Sequence, residues 1–442
     1  MVVSWRVSAL VLLGAVPLIA APSVGFVWCW AGGCLVLGAL DALTAVSPRE
    51  LRVRREVDGP IRADETSASV LTITNPTKRR LRLVVRDGWP PSLRPSPPSP
   101  ARHAVRVEAG SSVVLRTRLA PTRRGTREAD HATLRVWGAL GLGGRQISID
   151  APLSLSVLPA FRARVLLPSR LARLHELEGT TPTTLRGAGT EFDSLREYVR
   201  GDDPRDIDWR ASARSKELMV RTWRPERDRH VVVVVDCGRA SAALLGAPHA
   251  GADTIEIGVA PRLDSGIETA LLLGALATRA GDQVHLLALD QRVRARVSGI
   301  RGGAFLGAAA TAFQEVVPSL DVTDWQLAVS QVRATVRHPA LVVLVTRVPP
   351  AGMDVDFLEA VRALSDRHTV LIASATDPDQ DRARTDAEDV LMRAAAALEE
   401  RTDQAGVADA RSAGAVVVSA PSGALPARTA DTYIELKKAG RL

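Results

Sequence analysis

The apolar run Val24–Val46 carries a single charge, Asp41. Crossing a bilayer takes about 20 mostly apolar residues, so this run is long enough to span one. A second run, Val7–Ala21, precedes it across Pro22-Ser23 and is long enough only if it extends back over Val2–Trp5 and holds Arg6 at the interface. Trp5, Trp28 and Trp30 are candidate interfacial anchors. A cleaved signal peptide ending near Ile19-Ala20-Ala21 is the alternative for the first run. Arg49, Arg52, Arg54 and Arg55 follow the second run, and the connection between the runs is uncharged. Positive charge stays on the cytoplasmic side, so both alternatives leave residues 47–442 in the cytoplasm. The expected location is the cell membrane, with two spans. A free thiol at Cys237 suits a reducing compartment, while Cys29 and Cys34 are small apolar residues of a span.

The chain has 442 residues with 57 basic and 49 acidic side chains, a net charge of +8. Residues 51–130 sum to +9, residues 131–230 to +4 and residues 231–442 to −5. The basic part follows the span. It either lies against anionic headgroups, at about 1 kcal/mol per nearby Lys or Arg, or merely satisfies the topology rule. Scattered arginines without interleaved aromatics argue against nucleic acid. Three cysteines make no disulfide framework.

From Leu51 to Leu158 the periodicity is two, as in Ser69–Ile73, Val114–Leu119 and Thr133–Trp137. Turn clusters at Asn75-Pro76-Thr77, Pro90–Pro100 and Ala109-Gly110-Ser111 separate the segments. Seven or eight short strands at this spacing predict an antiparallel β-sandwich over residues 49–160. Its alternate arginines are assigned to the solvated face. No catalytic cluster of Ser, His, Cys or carboxylates occurs in it.

Residues 189–224 interleave opposite charges with aromatics. Phe192, Leu195, Tyr198 and Val199 recur at helical spacing and Gly201 ends the turn. Asp202-Asp203-Pro204 supplies an Asp cap and a first-turn Pro. Ile207 and Trp209 are expected to anchor the segment to a core. Asp202, Asp203, Asp206 and Asp208 invite a hard cation, but Arg196, Arg200, Arg205, Arg210 and Arg214 are enough to neutralise them one for one. The competing reading is a network of Arg–carboxylate pairs that fixes a loop.

The string Gly189–Arg214 resembles the signature of the domain-of-unknown-function 58 family. The matching positions include Glu191, Phe192, Arg196, Tyr198, Gly201, Asp202, Asp203, Arg205, Ile207, Asp208, Trp209, Ala213 and Arg214. Pro121–Gly125 and Leu140-Gly141-Leu142 resemble further landmarks of that family. The segment 161–228 is expected to pack on the domain that follows.

Val231–Val235 reads as a parallel strand buried on both faces. Helical and strand patterns alternate from there, predicting a doubly wound α/β domain over residues 229–442 with its site at the strand carboxyl ends. The family resemblance implies a von Willebrand factor A-like domain, which can hold Mg²⁺ through a D-x-S-x-S loop, a Thr on a second loop and an Asp after a later strand. Here Asp236 is kept, Gly238 and Ala240 replace the serines, and Arg347 stands where the later acid is usual. Thr311 and Thr323 are the open alternatives for the second loop. The expectation is a degenerate metal site, with Arg347 or Arg239 paired to Asp236 in place of the ion. The simpler alternative is that Asp236 caps the next helix.

The fold expected is therefore a membrane-anchored multidomain chain: a transmembrane hairpin over residues 1–48, the β-sandwich, the signature segment, and the A-like domain. The resemblance implies partnership with a MoxR-type AAA+ ATPase. No G-x-x-x-x-G-K-[ST] string is present, so nucleotide hydrolysis would fall to another chain. The functional expectation is a non-enzymatic adaptor that takes no cofactor. It would contact the ATPase, other membrane or secreted-complex proteins, and lipid, but no nucleic acid. A metal-dependent hydrolase built on the Asp-rich signature and an extracytoplasmic adhesion module are the alternatives. His175, His230, His249, His285 and His368 have no ligand spacing, and Cys237 reads as a small buried thiol.

Overall fold

The computed structural model describes residues 2–20, 23–63, 65–93, 102–180, 191–199, 202–215, 217–224, 229–245, 262–377 and 390–442. The chain divides into two compact units, Met1–Phe161 and Arg162–Leu442.

The first unit opens with β1 (Val2–Val3), α1 (Trp5–Leu13), α2 (Ala15–Ala20) and α3 (Val24–Thr44). Ser4 and Ser23 cap α1 and α3 by accepting from the amides of Arg6 and Phe26. The stretch Val24–Glu50 is long and apolar enough to cross a membrane, with mean hydropathy 1.7 and only 22% of it buried. Leu35, Val36, Leu40 and Leu43 face outward, unlike the apolar side chains of a soluble core helix. Trp5 and Trp28 are exposed, as interfacial anchors would be. Trp30 is not: its indole donates to the Leu10 carbonyl at 3.0 Å and ties α3 to α1. A Cβ at Gly14 would lie 2.3 Å from that indole, so only glycine admits the contact.

The sandwich follows: β2 (Arg52–Val57), β3 (Ile61–Arg62), β4 (Ser67–Thr74), β5 (Leu81–Asp87), β6 (His103–Val107), β7 (Ser112–Leu119), β8 (Gly125–Trp137) and β9 (Gly143–Leu158). One sheet runs β1-β9-β8-β5-β6, with β3 also on β9, and the other β2-β4-β7. Pairing is antiparallel except β3 with β9. Leu71, Ile73, Leu83, Val85, Leu134 and Val136 fill the core. The start of the chain before α1 and the end of α3 both meet the β8–β9 turn. Val2 and Val3 pair with Gly144 and Gly143. Asp41 accepts from the amides of Leu140, Leu142 and Gly143 at 2.8, 2.7 and 3.0 Å. The lone charge of the apolar run is thus a buried clasp, and a Cβ at Gly143 would lie 1.9 Å from the Gly38 carbonyl.

Arg52 and Arg54 of β2 lie on the solvated face as assigned, but Arg55, the next arginine, takes the inward position and is only 7% exposed. It meets Asp87 of the other sheet at 2.7 Å and donates to the carbonyls of Ala129, Ala151 and His131. Ser69 and Trp89 donate to the second carboxylate oxygen, at 2.7 and 3.0 Å.

The second unit begins with α4 (Leu167–Thr180). Residues 162–180 pack on the α/β layers: the Ala163 amide donates to Glu268, and Arg170 and Arg173 pair with Asp431. The signature forms β10 (Glu191–Glu197), α5 (Trp209–Ser215) and β11 (Met219–Arg224). The α/β part is β12 (His230–Asp236), α6 (Arg239–Ala242), α7 (Arg262–Arg279), β13 (Gln283–Leu289), β14 (Val293–Val297), α8 (Ala304–Phe313), α9 (Trp325–Thr335), β15 (Leu341–Val345), α10 (Val355–Ser365), β16 (Thr369–Thr376), α11 (Val390–Ser412), β17 (Val416–Pro421) and α12 (Leu425–Lys438). Its sheet runs β14-β13-β12-β15-β16-β17, all parallel except β14. Val232, Val234, Val342 and Leu344 pack against α9 and α10 on one face. On the other, Gly266 of α7 sits against Val235 and Val345. The alternation of sequence patterns anticipates the parallel strands; β14 and α8 are additions to it.

His230 and His285 stack across β12 and β13, with ring centroids 5.5 Å apart and Nδ1 to Nε2 at 3.2 Å. Burial, then the charges of His230 and Arg296, holds His285 below the ordinary histidine range. Burial, then Arg367 and Arg333, does the same to His368. A histidine whose folded value is depressed favours the fold above the unfolded value, about 6.5, and that contribution is lost as pH falls through the folded value. The Tm of the full chain should therefore fall between about pH 7 and pH 5, and less steeply in His285→Gln/His368→Gln. Equal slopes in the two proteins would contradict the assignment.

Candidate functional site

Strands β12 and β15 are parallel neighbours and end side by side, with Val235 opposite Val345. Asp236 and Thr346 extend from them, and both side chains are buried. The Thr346 hydroxyl donates to Asp236 Oδ2 at 2.6 Å. Asp236 Oδ1 accepts from the Thr323 hydroxyl at 2.5 Å and from the Gly238 amide at 2.8 Å. Of the two threonines left open by the sequence, Thr323, just before α9, is the one that reaches Asp236. Thr346 is the partner the sequence reading missed. Its signal was its place directly after a strand paired to β12.

Neither expected arginine pairs with Asp236. Arg347 turns away to Asp403 at 3.1 Å and Glu399 at 3.4 Å on α11. Arg239 is exposed, and its amide donates to the Asp321 carbonyl. Asp236 does not cap α6 either: the cap is Gly238, which has no side chain to accept with. A buried cation does stand nearby, Arg262 at the start of α7. Its Nε donates to the Ala375 carbonyl at 3.2 Å and its Nη1 to the Ala240 carbonyl. Burial, then the neighbouring Arg347, lowers its pKa to about 10, with Asp377, Asp403 and Asp236 opposing. It stays charged at neutral pH. Asp236, Thr346 and Arg262 line one cavity of about 10 Å³, room for about one water.

This set does not fit Mg²⁺, which demands near-octahedral oxygen ligands and usually keeps several waters. One carboxylate is present, both threonine hydroxyls are directed at it, and a guanidinium shares the cavity. A Cβ at Gly238 would lie 2.2 Å from Thr323 Oγ1, so the hydroxyl of a serine there has no room. Among the described residues, no three His, Cys, Asp or Glu side chains gather as a metal site. Cys237 is fully buried, its thiol 3.6 Å from the Val235 carbonyl.

The signature corrects the helical expectation. The stretch Glu191–Glu197 is a strand paired antiparallel with Met219–Arg224, so Phe192 lies opposite Trp223 and Arg196 opposite Val220. The helical spacing of its apolar residues is overridden by that pairing. Asp203 caps a short helical turn led by Pro204 by accepting from the Arg205 amide, as expected. Asp206 sits in that turn, and Ile207 bridges to Val220. Trp209 is no anchor, being 68% exposed. Arg196 holds Asp202 with two bonds of 2.7 and 2.6 Å. Asp208 accepts from the amides of Arg210 and Ala211 and pairs with Arg221 at 2.9 Å. Those contacts, the Ala211 amide and Arg221 foremost, hold its carboxyl below the usual range. Arg221, absent from the sequence pairing, is thus the partner of Asp208. Tyr198 donates its amide to the Leu218 carbonyl, and Ala213 and Arg214 lie on α5. Gly201, with Arg200, lies outside the described residues.

A family model described as "Protein of unknown function DUF58" matches residues 194–388. No curated protein matches the sequence. Solved structures similar to parts of the chain include the SpRpn10 VWA domain, at 10% identity and TM-score 0.29, covering 46% of this chain and 94% of that one. The PilB minor pilin from Streptococcus sanguinis matches at 10% identity and TM-score 0.33, covering 81% and 88%. The ASH/PapD-like domain of human CEP192 matches at 13% identity and TM-score 0.19, covering 26% and 94%.

Proposed function

We propose that this chain, whose residues 194–388 match the DUF58 model, works as a membrane-anchored, non-enzymatic adaptor beside a MoxR-type AAA+ ATPase in the assembly or maturation of other proteins. The observation that carries this reading is the Asp236 site. Its carboxylate is engaged by Thr323, Thr346 and Gly238, an arrangement that braces two strand ends and offers no exposed nucleophile or open coordination position. The hydrolase alternative is weakened by the signature, where Asp202 and Asp208 are held by Arg196 and Arg221. An adhesion module is weakened by the same Asp236 geometry, in which protein donors already engage both carboxylate oxygens.

The anchoring part of the proposal has α1 with α2 as one span and α3 as the other, the bulk of the chain lying in the cytoplasm. Support comes from the outward apolar face of α3 and from the convergence of β1 and Asp41 on one turn, as expected of a hairpin with both ends on the same side. The arginines after Val46 favour the cytoplasm for that side. The binding test is a pull-down of the tagged full chain in mild detergent, with and without ATP, read by mass spectrometry. Recovery of an AAA+ ATPase that changes with nucleotide is the expected result. Its absence in both conditions would remove the ATPase from the account.

A further inference from the structure

Strands β5 and β6 place Arg82 directly opposite Arg106. Both side chains are exposed. Directly opposed residues share one face of a sheet, and like charges there repel. Trp137 of β8 lies one register step beyond the Leu83–Val136 pair, on the other side of Arg82. The resulting row is Trp137, Arg82, Arg106. Arg79 and Arg80, in the turn before β5, join it around a cleft of about 260 Å³ that Thr44 also lines. The only acid paired there among the described residues is Glu108, 3.0 Å from Arg80, and both of those side chains are more than half exposed.

Thr44 is the last residue of α3, and its hydroxyl accepts from the Ala139 amide at 3.2 Å. Four guanidinium groups and an indole therefore converge where the apolar helix ends. Guanidinium groups bind phosphate in bidentate fashion, and Trp concentrates at the membrane–water boundary. We infer that this cleft binds the phosphate of an anionic phospholipid headgroup, which relieves the opposition of Arg82 and Arg106 and fixes the sandwich at the bilayer surface. The inference rests on α3 spanning a membrane, and the cleft's place at the helix end favours lipid over a soluble anion.

The test is native mass spectrometry of the full chain in mild detergent, titrated with phosphatidylglycerol and phosphatidylcholine. The wild type should retain phosphatidylglycerol preferentially. Arg82→Gln/Arg106→Gln should weaken that retention about thirty-fold, and Arg116→Gln/Arg118→Gln, an equal loss of charge on exposed positions of β7, should leave it in place. In lipid-free detergent the Arg82→Gln/Arg106→Gln protein should melt no lower than the wild type, since it removes a repulsion. Equal retention by the two double variants would overturn the site. Displacement of the lipid by millimolar inorganic phosphate would assign it to a soluble anion, and capture of RNA in place of lipid would assign it to nucleic acid; either overturns the lipid assignment. Carbonate extraction of membranes tests the anchor separately: loss of the chain from the pellet defeats the span, whereas retention of both variants with unchanged lipid binding defeats only the cleft.

Discussion

Replacing Asp236 with alanine is expected to loosen the centre of the α/β unit by about 3 kcal/mol or more. The carboxylate is the acceptor for three buried donors: the hydroxyls of Thr323 and Thr346 and the amide of Gly238. Each such donor left without a partner costs about 1–3 kcal/mol, and the three share one site, so the costs do not simply add. Asp236→Asn keeps an acceptor for Thr323 and Gly238 and turns an amide towards Thr346, whose hydroxyl can accept. Its cost should be nearer 1 kcal/mol. Hydrogen exchange at the β12 and β15 amides reads the effect locally. Exchange in Asp236→Ala as slow as in the wild type would refute the bracing role.

An effect of similar size is expected at Asp87. Removing one partner of a buried ion pair costs about 3–5 kcal/mol, because the other charge stays buried without compensation. In Asp87→Ala, Arg55 keeps its carbonyl partners but loses its counter-ion, and Ser69 and Trp89 lose their acceptor. The two sheets are joined at that point, so the sandwich should open in hydrogen exchange while the α/β strands keep their protection. Arg55→Met/Asp87→Leu should recover most of the loss, since apolar replacement of a whole buried pair is often neutral. A double variant as unstable as Asp87→Ala would mean that the hydrogen bonds, and not the unpaired charge, dominate.

The sequence was most legible where burial is strongest. Val231–Val235 and Leu341–Val345 are apolar on both faces, and such runs fit a parallel sheet covered on both sides. The sandwich strands were legible through their alternation, but alternation does not say what pairs with a charge that takes an inward position, as Arg55 does. A buried arginine looks like a solvated one until its partner, Asp87 on another strand, is known. The same limit applied at the site. Asp236 and the losses at Gly238 and Ala240 were readable in one loop. Its hydroxyl partners come from positions 87 and 110 residues away, and only the register of β12 with β15 brings Thr346 beside it. In the signature, the apolar spacing suggested a helix, whereas pairing with Met219–Arg224 made a strand and brought Arg221 to Asp208. Asp41 could be seen as the lone charge of the apolar run, but its role depends on three amides about 100 residues away.

The central claim, that protein hydrogen bonds close the site a metal would otherwise organise, meets its most direct test in calorimetric titration of the full chain with Mg²⁺. The account predicts no saturable heat up to millimolar concentration and identical traces for the wild type and Asp236→Asn. Sub-millimolar binding in the wild type that disappears in Asp236→Asn would contradict it.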